Sequence, residues 1–194
     1  MSTLNDADRR EYYRIEDMIA LEITPLSAPE AASDEVLQDA SPLFNLLSEL
    51  HLSEFESQHL LRQISERDRT LSSYLKTLNK RVELLSQIVA QTVLGKIGEL
   101  QPVQLSEGGI EFHYPHACTP GSHLSIKLVL MPQALGLLLR ARVIDCVAQD
   151  DDYRINTEFE ALTDTQRQLL ARYILQKQAQ ARRLAREQNE PAAE

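Results

Sequence analysis

Between Ser53 and Leu94 the chain runs some forty residues without a proline or a glycine, and no other property of the sequence limits its fold so strongly. Ser53 followed by Glu56 has the form of a capping box, and Gly95 stands where a helix would stop. Between them, apolar residues recur in steps of four and three. Leu61, Leu75, Val82 and Val89 occupy heptad position a, and Ile64, Leu71, Leu78 and Leu85 occupy d. The spacing predicts one helix roughly 60 Å long, about twice the diameter of a small domain. Within the chain the only partner for it is the short apolar stripe Leu43, Leu46, Leu47 and Leu50, which shields one end. The reading is therefore a coiled coil between copies of the protein. Leu60, Tyr74 and Ile88 at g widen the apolar face, which favours a tetramer over a dimer. Asp68 falls at an a position, so either the tight seam starts at Leu71 or Asp68 sets register beside Arg67 or Arg69.

The 194 residues have room for one ordinary domain and an appendage. A hydrophobic content of 43% and a mean hydropathy of −0.31 support a packed core. The net charge of −9 argues against nonspecific binding to nucleic acid or to an anionic membrane, both of which need a basic surface. The polar start Ser2 to Arg10 has no signal-peptide pattern, and no apolar run approaches the roughly 20 residues of a membrane span. Cys118 and Cys146 lack a CxxC spacing and read as reduced thiols of a cytoplasmic protein.

Along the chain, residues 1–23 form a polar arm and a first strand, with Ile19, Leu21 and Ile23 alternating. Residues 24–41, rich in Pro, Ala and acids, read as a linker, and residues 42–95 as the helical insertion. From 96 to 178 the apolar period switches to two, through Val103 and Leu105, then Ile110, Phe112 and Tyr114, and on to Phe159. Turn residues Gly108-Gly109, Pro120-Gly121 and Asp150-Asp151-Asp152 separate the runs. The pattern predicts an α+β protein: a small antiparallel barrel closed by a C-terminal helix that Thr163 caps, with a long coiled-coil helix inserted after the first strand. Residues 179–194 form a tail.

Two short pieces carry the chemistry. Arg10 and Arg14 lie four apart just before the first strand, and Gln104-Leu105-Ser106-Glu107-Gly108-Gly109 enters a later one. Arginine forks bridge phosphate oxygens or the guanine O6/N7 edge, while a serine hydroxyl and a glycine permit close backbone approach to a ligand.

Both pieces resemble the PilZ family, small barrels that receive the bacterial second messenger cyclic di-GMP, whose motifs are RxxxR and [D/N]xSxxG. Arg10 and Arg14 match the first; Ser106 and Gly109 match the second. The resemblance covers about residues 9–23 and 99–178. It implies a non-enzymatic signalling protein with cyclic di-GMP as the possible ligand of Arg10, Arg14, Gln104, Ser106 and Gly109, no cofactor, and a protein partner. Gln104 replaces the family's Asp or Asn, and its extra methylene moves the acceptor. A donor left unpaired there predicts at least about a tenfold loss of affinity, so that binding is weak or absent. The alternative is an adaptor oligomer that presents barrels to a protein without any nucleotide.

Other constellations carry less. His113, His116 and Cys118 lie close together but lack an acid to complete a metal set, so no metal is expected. Ser106 lacks a nucleophile elbow, so no catalytic residue is assigned. Arg182, Arg183 and Arg186 read as the solvated face of the last helix.

Overall fold

The computed structural model describes residues 13–32, 37, 41–97 and 99–189; Arg10 lies outside them. In chain order the elements are β1 (Ile15–Pro25), α1 (Ala28–Ala32), α2 (Pro42–Arg67), α3 (Arg69–Ile97), β2 (Leu100–Leu105), β3 (Ile110–Tyr114), β4 (His123–Leu130), β5 (Leu135–Gln149), β6 (Asp152–Glu160) and α4 (Asp164–Asn189). The six strands close into a barrel in the order β1-β2-β3-β6-β5-β4. The α+β expectation and the barrel hold, and each later strand falls where the period of two placed it. Among the described residues no helix is long and apolar enough to cross a membrane.

The chain divides into two compact units. In one, β2, β3 and β6 are antiparallel, with Val103 opposite Phe112 and Phe112 opposite Ile155. These apolar residues are buried, and the intervening positions Gln104, Glu111 and His113 point the other way, as the alternation of a strand requires. Helix α4 starts on a true capping box: Thr163 Oγ1 accepts from the Gln166 N–H at 3.1 Å, and Gln166 Oε1 accepts from the Thr163 N–H at 3.0 Å. Leu169, Leu170, Tyr173 and Ile174 are all buried, the face expected to cover the barrel.

In the other unit β1 pairs antiparallel with β4, Ala20 opposite Val129 and Ile23 opposite Ile126. Small Ala20 and Val129 leave room for Phe44 and Leu47 of α2 and Ala90 of α3, which join them in one buried cluster. Helix α2 comes so close to β5 that a Cβ on Gly136 would lie 3.1 Å from Ser48 Oγ and 3.2 Å from the Phe44 ring. Lys127 Nζ lies 5.2 Å from the centroid of that ring and pairs with Glu22 at 3.0 Å.

Here the long-helix expectation is corrected. The helix does not begin at Ser53, because Ser41 is the N-cap and α2 runs through Ser53 to Arg67. Nor does Gly95 end it, since α3 reaches Ile97. The interruption is at Asp68, whose backbone is extended at φ −142° and ψ 102°. Its N–H closes α2 on the Ile64 carbonyl at 2.8 Å, while its carboxylate accepts the Leu71 N–H at 2.9 Å and so caps α3. Asp68 is thus a hinge residue rather than a buried a position. From Leu47 out to Asp68 and back to Ala90 the two legs are each roughly 30 Å, so the chain folds onto itself as an antiparallel hairpin. Replacing Asp68 by alanine removes the cap and is expected to cost about 1 kcal/mol, a fall of roughly 3 °C in the melting midpoint followed by circular dichroism.

The hairpin also reassigns the heptad residues. Among the described side chains its buried positions on α3 are small, Ser72, Ser86 and Ala90, which lets the two helices approach. Leu61, Ile64, Leu75, Leu78 and Val89 are half-buried, whereas Leu71, Val82 and Leu85 are exposed. Tyr74 is 61% exposed, and Leu85 and Ile88 are 63% exposed each. Burial within one chain therefore closes part of the apolar ribbon and leaves its bulkiest members outside.

Candidate functional site

The second motif folds as the tight turn between β2 and β3. The Ser106 N–H donates to the Gly109 carbonyl at 2.9 Å, and the Gly109 N–H donates to Ser106 Oγ at 3.1 Å. Ser106 is buried. At Gly109 an added Cβ would fall 2.0 Å from the Thr157 carbonyl oxygen on β6. Packing alone thus requires both residues, serine to close the turn and glycine to admit the neighbouring strand.

Gln104 sits on the outer face of β2, directly opposite Glu111 of β3, which in turn stands opposite Asn156 of β6. Arg154 reaches Glu111 from the next row at 3.5 Å. Around this row opens a groove of about 480 Å³, lined by Glu16, Met18, Pro102, Gln104, Glu111 and His113 among others. His113 Nδ1 lies 3.0 Å from Asp152, and His116 stacks edge-on against Tyr114 at 5.6 Å, so both rings have partners apart from Cys118. Among the described residues no three His, Cys, Asp or Glu side chains group as for a metal.

Arg14 is exposed, two residues before Glu16 of the groove. Asp17, which the sequence would allow beside the arginines, is committed to α4. It accepts from the Tyr173 hydroxyl and pairs with Lys177 Nζ at 2.8 Å. Burial, then the bond to Asp17, pushes the Tyr173 phenol above its ordinary 10.0. A group whose pKa is raised on folding gives its full stabilisation below the unfolded value and loses it as pH rises above that. Tyr173→Phe is therefore expected to cost about 2 kcal/mol at neutral pH, with the gap to the parent protein shrinking above about pH 10. Urea unfolding of both proteins across that range measures the gap.

Glu111 escaped sequence reasoning, whereas Glu16 was legible only as an acid beside the arginines. The signal was present in the parity of the strands: a turn at Gly108-Gly109 places Glu111 beside Gln104, and alternation puts His113 on the same face.

This architecture has a counterpart among solved structures. Among curated proteins none matches the sequence. A crystal structure of a tetrameric PilZ domain protein from Xanthomonas campestris, self-assembled via a helical bundle, aligns with a TM-score of 0.54 at 16% identity, covering 89% of this chain and 91% of that one. The inhibitor of motility MotI/DgrA of Bacillus subtilis aligns with a TM-score of 0.45 at 11% identity, over 89% of this chain and 52% of its own. YcgR of Escherichia coli in complex with c-di-GMP aligns with a TM-score of 0.40 at 21% identity, over 45% of this chain and 39% of its own. The PilZ domain model matches residues 78–176, which takes in Gln104, Ser106 and Gly109 and leaves out Arg10 and Arg14. With more than half of its length under that match, the chain belongs to the PilZ domain family.

Proposed function

We propose that this protein is a non-enzymatic, cytoplasmic signalling component of the bacterial cyclic di-GMP system, assembled through its helical hairpin. The observation that carries the assembly is the exposure of Tyr74, Leu85 and Ile88 along α3, a stripe of large apolar side chains that a second copy would bury. A tetramer is preferred to a dimer, since residues at g widen the stripe and the Xanthomonas campestris protein of similar fold is tetrameric through a helical bundle. Such an assembly presents several barrels at once and gains avidity for a protein partner.

In this reading the nucleotide site of Arg10, Arg14, Gln104, Ser106 and Gly109 is partly degenerate. Gln104 carries its carbonyl one methylene further out than Asp or Asn would, and Glu111 beside it adds negative charge where a dianionic ligand would lie. Calorimetric titration with cyclic di-GMP tests this. Gln104→Asn is expected to strengthen binding at least about tenfold over the parent chain, and Arg14→Ala to remove whatever saturable heat remains. Equal affinity in the parent and Gln104→Asn proteins would remove Gln104 as the weak point. A parent protein and Gln104→Asn variant both without heat would favour the second reading, an adaptor with no nucleotide ligand; the acidic groove supports that alternative.

A further inference from the structure

The two thiols of the chain, Cys118 and Cys146, take no part in the nucleotide reading. Strand β3 begins at the Ser106–Gly109 turn and ends at Tyr114, opposite Tyr153 of β6. The loop that leaves its far end is pinned on β5: the Gly121 N–H donates to the Val143 carbonyl and the Val143 N–H to the Ser122 carbonyl, each at 2.8 Å. Just before this contact the chain reverses. The Ser122 N–H and hydroxyl both donate to the Thr119 carbonyl, at 3.0 and 2.7 Å, and Gly121 takes the φ of 86° that the Pro-Gly corner requires. Cys118 stands immediately ahead of the corner, and Cys146 lies a short way along β5 from Val143.

Burial picks out the same two residues. From Pro115 to Pro120 every residue is exposed except Cys118, and from Asp145 to Gln149 every residue is exposed except Cys146; both cysteines are half-buried. Burial, and after it the negative charge of a Cys146 thiolate, pushes the Cys118 thiol above its ordinary 9.0, an influence that a like charge exerts only at short range. Among the described residues Cys118 Sγ has only a weak 3.9 Å contact with the His116 carbonyl, so the thiol is not tied up. No third ligand groups with the pair among those residues, which suits thiol chemistry better than a metal.

We propose that Cys118 and Cys146 are a modification site, a dithiol that a peroxide converts to a reversible disulfide clamping the β3–β4 loop to β5. The Cys146 thiolate attacks the peroxide O–O bond, becomes a sulfenic acid and releases hydroxide, which takes a proton to leave as water. The Cys118 thiolate then attacks that sulfur, forms the S–S bond and expels a second hydroxide, which also leaves as water. Each sulfur gives up one electron, and the peroxide is reduced to two waters. Cys118 is the resolving partner because its thiolate is scarce at neutral pH, and closure accelerates as pH rises. The exposed Pro115–Pro120 loop supplies the backbone shift that disulfide geometry demands. Exchange with a small thiol reopens the bond, as expected of a redox-sensing pair in a reducing compartment. The site stands whether or not cyclic di-GMP binds.

The test treats the reduced full chain with hydrogen peroxide and reads intact mass and peptide maps after acid quenching. The parent is expected to lose about 2 Da, to yield one linked peptide pair joining residues 118 and 146, and to recover both thiols in dithiothreitol. The closed form should melt several degrees higher, roughly 5–10 °C, while a Cys118→Ser, Cys146→Ser double variant shows no response to peroxide. In Cys118→Ser the sulfenic acid at Cys146 has no partner, and dimedone should trap at least about ten times more of it than in the parent. Disulfides found only between copies, oxygen adducts on separate thiols, thiols that stay unreacted, or equal dimedone labelling in the two proteins would each overturn the proposal. A disulfide that leaves the melting midpoint unchanged would overturn the clamp.

Discussion

If copies assemble through α3 as proposed, Leu85→Lys combined with Ile88→Lys is expected to leave a folded monomer of 22.0 kDa. In the single chain these two side chains touch little, since each is 63% exposed, so lysine there disturbs neither the α2–α3 seam nor the cluster around Phe44. In an assembly each would be worth about 1.5–3 kcal/mol of burial per copy, and a lysine would instead have to be stripped of water. Light scattering should give the parent protein a mass near four times 22.0 kDa and the variant one times, with the same helical circular dichroism. A parent mass near twice that of the chain would keep the interface and discard the tetramer. A parent that scatters as a folded monomer at micromolar concentration would end the assembly reading altogether. The contrast is Ala90→Leu, which overfills the junction of hairpin and β1–β4 face, costs about 1–3 kcal/mol and leaves the mass unchanged.

The second large effect is expected at Gly109, and it separates packing from ligand binding in the second motif. A methyl group there would stand 2.0 Å from the Thr157 oxygen, an atom of the β6 backbone that cannot swing aside. To relieve the clash β3 and β6 must part. That strains the 2.8 Å bonds from the Phe159 N–H to the Gly108 carbonyl and from Thr157 Oγ1 to the Ile110 carbonyl. Gly109→Ala should cost about 3 kcal/mol without any ligand present, a drop of roughly 10 °C in the melting midpoint. Ser106→Ala, which loses the two bonds of the hydroxyl to Gly109, from its N–H and to its carbonyl, should cost about 1–2 kcal/mol. A Gly109→Ala protein as stable as the parent would mean that the strands separate freely at this corner. The glycine would then have to be explained by a bound ligand.

The strands were legible because burial on one face imposes a period of two, and Val103, Phe112, Ile155 and Leu128 all obey it. The start of α4 was legible because a capping box is a local exchange between Thr163 and Gln166 that needs no tertiary partner. The hinge at Asp68 was not. Apolar spacing continues on either side of it, so a heptad count passes through the break without a change of phase. The hairpin seam was equally hidden, since Ser72, Ser86 and Ala90 carry almost no hydrophobic signal. The groove needed the pairing of Gln104 with Glu111 and the return of β1 beside them, and single-strand periodicity contains neither.

By itself the sequence determined the local elements: which stretches are strands, which are helices, and where each turn or cap must fall. Those depend on interactions within a few residues, or on the sidedness that any buried face imposes. Only the tertiary structure decided that the long apolar ribbon doubles back on itself, because an aspartate cap and a continuous helix differ in free energy by little until Phe44, Leu47 and Ala90 meet on the strand pair Ala20–Val129. It also decided which large side chains are left outside that contact, and those are the ones through which copies of this protein would meet.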